Sequence, residues 1–421
     1  MKTWTTCRVC NGSLEPILSL GDQYVSNFLT PDQPDGPKAP LDLVLCQQCR
    51  LLQLRHTVPG DMMYQEYWYR SGTNQTMRDA LADISGSAAE LMHLKSGDSV
   101  LDIGCNDGTL LGSYAIPGLY KIGFDPAQNL EVLSRRKADK ILVGFFDADR
   151  FLAEPDLQNR RPKAVTSIAM FYDLEDPNKF VKDIQRVMHP DGVWIVQMSY
   201  LPLMLKQNDF GNICHEHLEY YSLGALECLL NLHGMAVVDA QLNDVNGGSI
   251  RAYIRNSTAD QNSFGDEAYR KKADERVCQM RATESRLGLD HATPYLEFAD
   301  RVQRIKQQVR DFVKDQIEKK KTIFVYGAST KGNVMLQYFE LDHSVISAAA
   351  ERNPDKWGKV TVGTRIPIVS EAAARAARPD YFLVLPWHFI EEFKAREHEY
   401  LSSTGKFIVP LPTFELIDAS H

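Results

Sequence analysis

Short apolar runs alternate with segments of helical periodicity through the middle of the chain. The runs lie at residues 99–103, 121–125, 140–144, 164–170 and 192–198. Strands and helices that alternate at this pitch predict a parallel, doubly wound sheet of the α/β class. Two later runs, at 237–240 and 249–254, could close this sheet as an antiparallel pair. Ahead of the first run, apolar residues at helical spacing over 74–95 predict a helix that covers the sheet.

A second, smaller doubly wound domain is predicted in the C-terminal part of the chain. An apolar strand, a glycine turn and a helix start follow one another at 322–333, as they do at the first strand of the central sheet. Segments 351–358 and 383–388 add further strand and turn signals. Before them, residues 265–320 combine many charged side chains with spaced Leu, Val and Ile, a pattern that predicts long amphipathic helices.

The first strand of the central sheet ends in a glycine turn that begins with an acid and runs from Asp102 to Gly108. Ligands of doubly wound folds bind beyond the carboxyl ends of the strands, so this turn is a candidate binding site. Its spacing differs from the Gly-x-Gly-x-x-Gly of dinucleotide-binding domains and looks like the S-adenosylmethionine (SAM) loop of class I methyltransferases. In that loop, glycines such as Gly104 let the backbone approach the ligand, and acids such as Asp102 and Asp107 meet its cationic amino-acid part.

Other residues beyond the same strand ends fit this ligand. Asp125 stands at the end of the second predicted strand, where an acid can accept hydrogen bonds from both hydroxyls of a ribose. After the third strand, Phe145 or Phe146 could stack on an adenine, although both could equally be core aromatics. Together these positions predict a SAM site. The alternative is an ordinary βαβ unit with an unknown ligand.

Four of the eight cysteines form two Cys-x-x-Cys pairs near the N-terminus, Cys7 with Cys10 and Cys46 with Cys49. Each pair can direct two thiolates at one ion, and two pairs complete a tetrahedral zinc site. Because the protein supplies all four ligands, we expect a structural zinc that stabilises a short, proline-rich segment. A redox Cys-x-x-Cys is the weaker alternative, because that motif usually occurs once and opens a helix.

Residues 212–222 concentrate two histidines, two carboxylates and two tyrosines around His215, Glu216 and His217. General acid–base chemistry is the interpretation that we favour, because histidine titrates near neutral pH. Metal binding is a second interpretation, but the histidines lack the i, i+4 helical spacing of zinc proteases. Residues two apart share a face only in extended structure. A purely structural polar network is the third interpretation.

Three further segments are candidates for substrate contacts. Residues 64–74, aromatic and charged before a Ser-Gly turn, predict either a pocket lid or a packed seam between domains. The turn at 246–251 predicts a hairpin. At 329–333, backbone amides of a helix N-terminus would attract phosphate and Lys331 adds positive charge, so a diphosphate or nucleotide is the expected ligand. A duplicated fold without a ligand is the alternative.

Composition narrows the classes of function. The chain has 421 residues, too many for one core, and its net charge of −8 argues against a nucleic-acid partner. No apolar stretch approaches the roughly 20 residues of a membrane helix, and the N-terminus leads directly into a cysteine pair without a secretory signal. Cysteines arranged for a metal rather than for disulfides favour a cytoplasmic protein. The sequence does not assign an oligomeric state.

Taken in order, these motifs resemble the three-domain, zinc-containing sugar C-methyltransferases of deoxysugar biosynthesis. The resemblance spans essentially the whole chain. It rests on the four paired cysteines and on segments 69–74, 102–108, 215–217, 246–249, 326–333 and 353–358. It implies a zinc-binding domain at 1–68, a SAM-binding methyltransferase core at 69–258, and a Rossmann-like domain for nucleotide-sugar binding at 259–421.

The resemblance implies SAM-dependent methylation of carbon 3 in a nucleotide-diphosphate-linked 4-keto-6-deoxysugar. His217 matches the family's catalytic base, with Glu216 beside it, and His215 is the rival base. Tyr69 matches a tyrosine that contacts the substrate. The remaining substrate-binding candidates are Asn246, Lys331, Asn333 and Lys356. The SAM-binding candidates are Asp102, Gly104, Asp107, Gly108, Asp125 and Phe146.

Two departures from the family pattern concern the groups that face the sugar. Many relatives have a tyrosine directly before His-Glu-His, where this chain has Cys214, and many have a histidine in the loop that here reads 170–173. The base assignment stands, but the identity of the sugar is open. The alternatives are a small-molecule O- or N-methyltransferase, a zinc-ribbon RNA methyltransferase, which the acidic charge disfavours, and a non-catalytic binding protein with a SAM fold.

Overall fold

The computed structural model describes residues 1–60, 63 and 70–419. The N-terminal strands are β1 (Lys2–Thr3), β2 (Leu14–Tyr24), β3 (Phe28–Leu29), β4 (Lys38–Cys46), β5 (Leu52–Leu54) and β6 (His56–Thr57). Strands β2, β4 and β5 form an antiparallel sheet, and β1 pairs with β6. Alternate residues of β4, including Leu41 and Leu43, are buried, so one face of this sheet packs on the core.

The central domain has the predicted doubly wound sheet. Its strands are β7 (Ser99–Ile103), β8 (Tyr120–Asp125), β9 (Lys140–Val143), β10 (Ala164–Ile168), β11 (Val193–Ser199), β12 (Glu219–Tyr220), β13 (Met235–Asn243) and β14 (Ser249–Asn256). Seven of them form one sheet in the order β13-β14-β11-β10-β7-β8-β9. Strands β7 to β11 are parallel, whereas β14 is antiparallel to both β11 and β13. The predicted closing antiparallel pair is therefore confirmed.

Helices cover both faces of this sheet in the order that the pattern predicts. They are α1 (Gln75–Leu91), α2 (Thr109–Ser113), α3 (Glu131–Ser134), α4 (Ala148–Ala153), α5 (Pro177–Val187), α6 (Leu201–Gln207) and α7 (Leu223–Asn231). Helix α1 begins after Asn74, whose side chain accepts a hydrogen bond from the N–H of Thr76 (2.9 Å). Its Leu81, Ile84 and Leu91 are buried, which confirms the helical spacing found in the sequence.

The C-terminal part repeats the doubly wound plan on a smaller scale. Two long helices, α8 (Glu267–Arg286) and α9 (Thr293–Glu318), lead into it, as the sequence predicts. Its strands are β15 (Ile323–Tyr326), β16 (Ala349–Glu351), β17 (Val360–Thr361), β18 (Ile368–Ser370), β19 (Tyr381–Val384), β20 (Lys406–Val409) and β21 (Glu415–Ile417). Its helices are α10 (Thr330–Phe339), α11 (Glu371–Ala377), α12 (Ile390–Arg396) and α13 (His398–Ser403). Six strands follow the order β18-β16-β15-β19-β20-β21, and within this sheet only β21 is antiparallel to its neighbour.

The N-terminal domain binds to both doubly wound domains through strand pairing. Strand β12 of the central domain adds to the N-terminal sheet beside β5, and β17 of the C-terminal domain pairs with β3. One apolar cluster joins Leu43, Phe210 and Val325, which come from the three domains in turn. The three domains therefore share a core. No helix in the described ranges combines the length and the apolar character needed to cross a membrane.

Candidate active site

The two cysteine pairs converge as the sequence predicts. The sulfur atoms of all four lie within 4.8 Å of one another; Cys7 Sγ is 3.5 Å from Cys49 Sγ, and Cys10 Sγ is 3.4 Å from Cys46 Sγ. Thiolates around zinc, with Zn–S bonds of about 2.3 Å, are about 3.8 Å apart, so this donor set fits zinc. The N–H of Val9 points at Cys7 Sγ (3.4 Å), which stabilises a thiolate there. With four protein ligands the site has no open position and is structural.

The zinc cluster is linked to the segment that carries His217. The backbone N–H of Arg8 donates to Gln53 Oε1 (3.1 Å), and the Arg8 guanidinium donates to the carbonyl of Leu54 (2.9 Å). The N–H of Leu54 donates in turn to the carbonyl of Leu218 (2.9 Å), the residue after His217. An intact zinc knuckle thus holds the backbone immediately beyond the histidine.

The turn after β7 has the geometry that a SAM loop requires. Gly104 has φ +72°, and a Cβ there would lie 2.9 Å from Met170 Cγ, so a larger residue would close the space over the turn. Asp102 is buried and lines the cleft, and Thr166 Oγ1 donates a hydrogen bond to its carboxylate (2.6 Å). Burial raises the pKa of Asp102 to about 7, with the Thr166 hydrogen bond acting in the opposite direction. A cationic ligand would stabilise the ionised form.

The ribose and adenine candidates line the same cleft. Asp125 accepts hydrogen bonds from the N–H groups of Asn106 (2.7 Å) and Ala127 (2.8 Å), which fixes its carboxylate at the end of β8. Phe146 packs edge-on against two other phenyl rings, with centroid distances of 5.2 and 5.5 Å. Phe145 is 52% exposed. Both rings therefore remain available to an adenine.

Asp107 and Gly108 support the turn from behind. Asp107 is buried and accepts hydrogen bonds from the N–H of Gly72 (3.0 Å) and from the Thr109 hydroxyl (2.6 Å). Gly108 has φ +76°, and a Cβ there would lie 3.0 Å from the backbone of Ser134. Both residues thus have contacts that shape the loop, and their direct contact with the cofactor stays a prediction.

His217 lies in a turn, in which its N–H donates to the carbonyl of Cys214 (3.1 Å). Its Nδ1 is 2.8 Å from the carbonyl of Asn212, which can only accept, so Nδ1 carries the proton and Nε2 keeps a lone pair. The ring of Tyr172 stands edge-on to the imidazole at a centroid distance of 4.5 Å. Burial and the charge of Lys331 lower the pKa of His217 to about 3, against the hydrogen bond to Asn212. The imidazole is therefore neutral at working pH.

The two histidines of this segment point to different places. His215 Nε2 donates to the carbonyl of Ala39 in the N-terminal domain (3.0 Å), and burial lowers the pKa of His215. The extended segment that would put His215 and His217 on one face is not formed, because these residues lie in a turn. Glu216 lines the cleft with His217, and burial raises the pKa of Glu216 to about 7. Their ligand atoms and Cys214 Sγ lie within 4.8 Å of one another.

A single cavity of about 1040 Å³ joins the two glycine turns. Asp102, His217 and Lys331 all line it, and so do Asp209 and Asn246. Ligand pockets have volumes of about 300–1,000 Å³, so this cleft has room for a methyl donor and a second molecule. The Lys331 Nζ lies 3.6 Å from the Asp209 carboxylate. The turn at Asp102–Gly108 and the second glycine turn therefore open on a shared space.

Of the other substrate-binding candidates, Lys356 lines the cleft, whereas Asn333 is buried against the N-terminal domain. Lys356 lines the cleft, donates to the carbonyl of Ala328 (2.7 Å) and lies 3.8 Å from the Glu351 carboxylate; burial lowers the pKa of this lysine. Asn333 is 1% exposed and donates to the carbonyl of Asn27 (3.1 Å). Asn333 thus joins helix α10 to the N-terminal domain, and the ligand contact expected from the sequence stays a prediction.

Tyr69 lies outside the described residues, so the structure does not place it. Among the cleft residues that were not candidates from the sequence are Tyr172, Asp209 and His388. Burial and the nearby charge of Lys331 lower the pKa of His388 to about 4. Each is a single polar or aromatic residue in a loop, and only the packing of the domains reveals it.

The fold and its acid-led glycine turn are those of a SAM-dependent methyltransferase. Family models match three consecutive parts of the chain: a zinc-binding domain at residues 7–64, a methyltransferase domain at 69–240 and a C-methyltransferase C-terminal domain at 244–412. The C-methyltransferase NovU of Streptomyces niveus is 32% identical over 417 residues, which cover 98% of this chain and 97% of NovU.

Solved structures show more distant likenesses to part of the chain. The PH0226 protein from Pyrococcus horikoshii OT3 is 16% identical with a TM-score of 0.36, over 45% of this chain and 94% of that protein. The plantazolicin methyltransferase BpumL, solved in complex with SAH, is 13% identical with a TM-score of 0.33, over 42% and 82% of the two chains. On its three family domains and its full-length relative, the chain belongs to the zinc-containing C-methyltransferase family.

Proposed function

We propose that this enzyme methylates carbon 3 of a nucleotide-diphosphate-linked 4-keto-6-deoxysugar, in deoxysugar or natural-product biosynthesis. The observation that carries the proposal is that the SAM turn, the neutral imidazole of His217 and Lys331 line one continuous cleft. A base in the same cleft as a methyl-donor site suits a carbon acid, and a cation in that cleft suits a diphosphate.

In this proposal His217 is the general base. Its Nε2 takes the proton from the carbon next to the ketone, while the Nδ1–H bond to Asn212 holds the ring in the reactive tautomer. Glu216, whose pKa of about 7 leaves much of it protonated at neutral pH, donates a hydrogen bond to the enolate oxygen that forms. When bound, SAM supplies the electrophilic methyl group that the enolate carbon takes up. Asp102 and Asp125 orient that donor so that the two reacting carbons are aligned.

The nucleotide end of the substrate is assigned to the C-terminal domain. Lys331 pairs with the diphosphate, and Lys356 and Asn246 line the path on either side. Tyr69 is retained as a substrate contact from the segment outside the described residues. Asn333 acts indirectly, by fixing helix α10 on the N-terminal domain. The four-thiol zinc site needs reduced cysteines, which supports a cytoplasmic location.

Turnover with defined sugars tests this function. The purified enzyme is incubated with SAM and thymidine-diphosphate-linked 4-keto-6-deoxysugars, and the products are identified by mass spectrometry and by carbon–proton NMR correlation. We expect a new C–CH₃ at carbon 3 with the wild type and none with His217→Asn. A methyl group on oxygen or nitrogen would overturn the proposal in favour of an O- or N-methyltransferase. Methylation that occurs only with nucleotide sugars lacking a ketone would do the same.

A further inference from the structure

The turn after β15 repeats the backbone hydrogen bond and the positive φ of the first glycine of the SAM turn. The N–H of Gly104 donates to the carbonyl of Phe124 (2.8 Å), and the N–H of Gly327 donates to the carbonyl of Ala350 (2.8 Å). Each accepting residue directly precedes the acid that ends the second strand of its domain. Both glycines have positive φ, +72° and +87°. The two turns thus have the same relation to the neighbouring strand.

The second-strand acids repeat the same arrangement. Asp125 at the end of β8 bridges an N–H of the first turn and the N–H two residues further along its own chain. Glu351 at the end of β16 does the same: Oε2 accepts from Ala328 (2.9 Å) and Oε1 from Asn353 (2.8 Å). Each carboxylate oxygen keeps a further lone pair for a ligand, and Glu351 lines the cleft.

The free space next to the first glycine is also limited in the same way in both turns. A Cβ on Gly104 would meet Met170 at 2.9 Å, and a Cβ on Gly327 would meet Pro386 at 2.6 Å. Met170 follows β10 and Pro386 follows β19, and each of these is, in chain order, the fourth strand of its parallel sheet. In each domain, therefore, a ligand would enter the crevice between the first and fourth strands, where the strand order reverses.

The charges of the two turns are opposite. Val325 occupies the position that Asp102 has in the first turn, two residues before the glycine, so the second turn lacks the acid for a cationic tail. Lys331 stands four residues after Gly327, where the first turn has Gly108. The second turn therefore suits a nucleoside whose substituent is an anion.

We propose that Glu351 binds the free sugar hydroxyl of the carrier nucleoside, the 3′-hydroxyl in a thymidine carrier, as Asp125 is placed to bind the ribose of SAM, with the diphosphate on Lys331. This inference rests on the proposed function and adds the direction of the substrate. The nucleoside lies over β16, and the sugar points across β15 toward the loop after β19. His388 of that loop packs on Gly247 of the central domain, where a Cβ would be 3.6 Å from it. His388 and His217 line the same cleft and both lie near the charge of Lys331, so this orientation directs the free end of the substrate toward His217.

Paired titrations of the whole enzyme test the role of Glu351. Binding of thymidine diphosphate, of 3′-deoxythymidine diphosphate and of S-adenosylhomocysteine is measured by calorimetry for the wild type, Glu351→Gln and Asp125→Asn. A hydrogen bond to a carboxylate contributes about a ten- to a hundredfold change in affinity. We expect the wild type to bind thymidine diphosphate that much more tightly than its 3′-deoxy form. Glu351→Gln should lose the difference and keep its affinity for S-adenosylhomocysteine, and Asp125→Asn should do the reverse.

The wild-type comparison stands even if a variant fails to fold. Equal affinities of the wild type for the two nucleotides would overturn the role of Glu351 and leave the proposed function intact. If neither nucleotide binds, while S-adenosylhomocysteine does, the nucleotide-linked substrate itself is wrong. If Glu351→Gln still discriminates between the nucleotides, another residue reads the hydroxyl and the inference fails.

Discussion

In our proposal Asp102 pairs with the ammonium group of SAM, so the raised pKa of this carboxyl should make SAM binding sensitive to pH. A buried carboxyl with a pKa of about 7 must lose its proton before it can pair with the ammonium group of the ligand. Affinity for SAM should therefore fall as the pH drops below 7, by up to tenfold per pH unit, and level off when the charged contact is lost. A hydrogen bond to a charged group contributes about 1.5–3 kcal/mol, so the whole fall should be about ten- to a hundredfold.

Two variants distinguish the effect of the Asp102 charge from the effect of the hydrogen bond that Asp102 accepts. Asp102→Asn should bind SAM about ten- to a hundredfold more weakly at pH 7.5 and show no change in affinity between pH 5 and 7.5. Thr166→Val keeps the carboxylate but removes the hydroxyl that donates to it over 2.6 Å. Because that hydrogen bond lowers the pKa, its loss should move the midpoint of the pH profile upward. Isothermal titration calorimetry measures both; a flat wild-type profile, or a Thr166→Val midpoint at lower pH, would refute the reasoning.

Three further predictions follow from the contacts around the cleft. Cys46→Ser should release zinc, lower the melting temperature and reduce turnover more than SAM affinity; full activity in zinc-free protein would contradict it. Lys331→Met should raise the pKa of His217 from about 3, because a nearby positive charge is removed. NMR titration of the imidazole measures this pKa, and an unchanged value would show that Lys331 and His217 do not interact. His215→Asn should cost about 0.5–1.5 kcal/mol of stability and less than tenfold in turnover; complete inactivity of the folded variant would move the base to position 215.

The elements with strong local signals were predictable from the sequence. The cysteine pairs at 7–10 and 46–49 define their own geometry, because two residues between ligands suffice to close a knuckle. The acid-led turn at Asp102 and the strand-helix alternation follow from periodicity and from the conformational needs of glycine. Both parallel sheets were found in this way, since each depends on contacts within short βαβ units.

Contacts between domains were not predictable, because no local pattern encodes them. Strand β12 is two residues long, and the strand it pairs with, β5, belongs to the N-terminal domain. Asn333 carries the signature of a ligand-binding helix start, yet the packing of the N-terminal domain on α10 buries it. The sequence does not distinguish the roles of His215 and His217. The turn at Cys214 makes the two imidazoles point to different places. Tyr172 is a candidate site residue because its ring packs against that of His217 in the folded chain.

Exchange of the substrate's carbon-bound hydrogen tests the role of His217 most directly. The enzyme is incubated in deuterium oxide with a thymidine-diphosphate-linked 4-keto-6-deoxysugar and S-adenosylhomocysteine, so that deprotonation can occur without methyl transfer. We predict that the wild type incorporates deuterium at carbon 3 and that His217→Asn, which still binds S-adenosylhomocysteine, incorporates it at least a hundredfold more slowly. Wild-type exchange in His217→Asn would show that another group removes the proton.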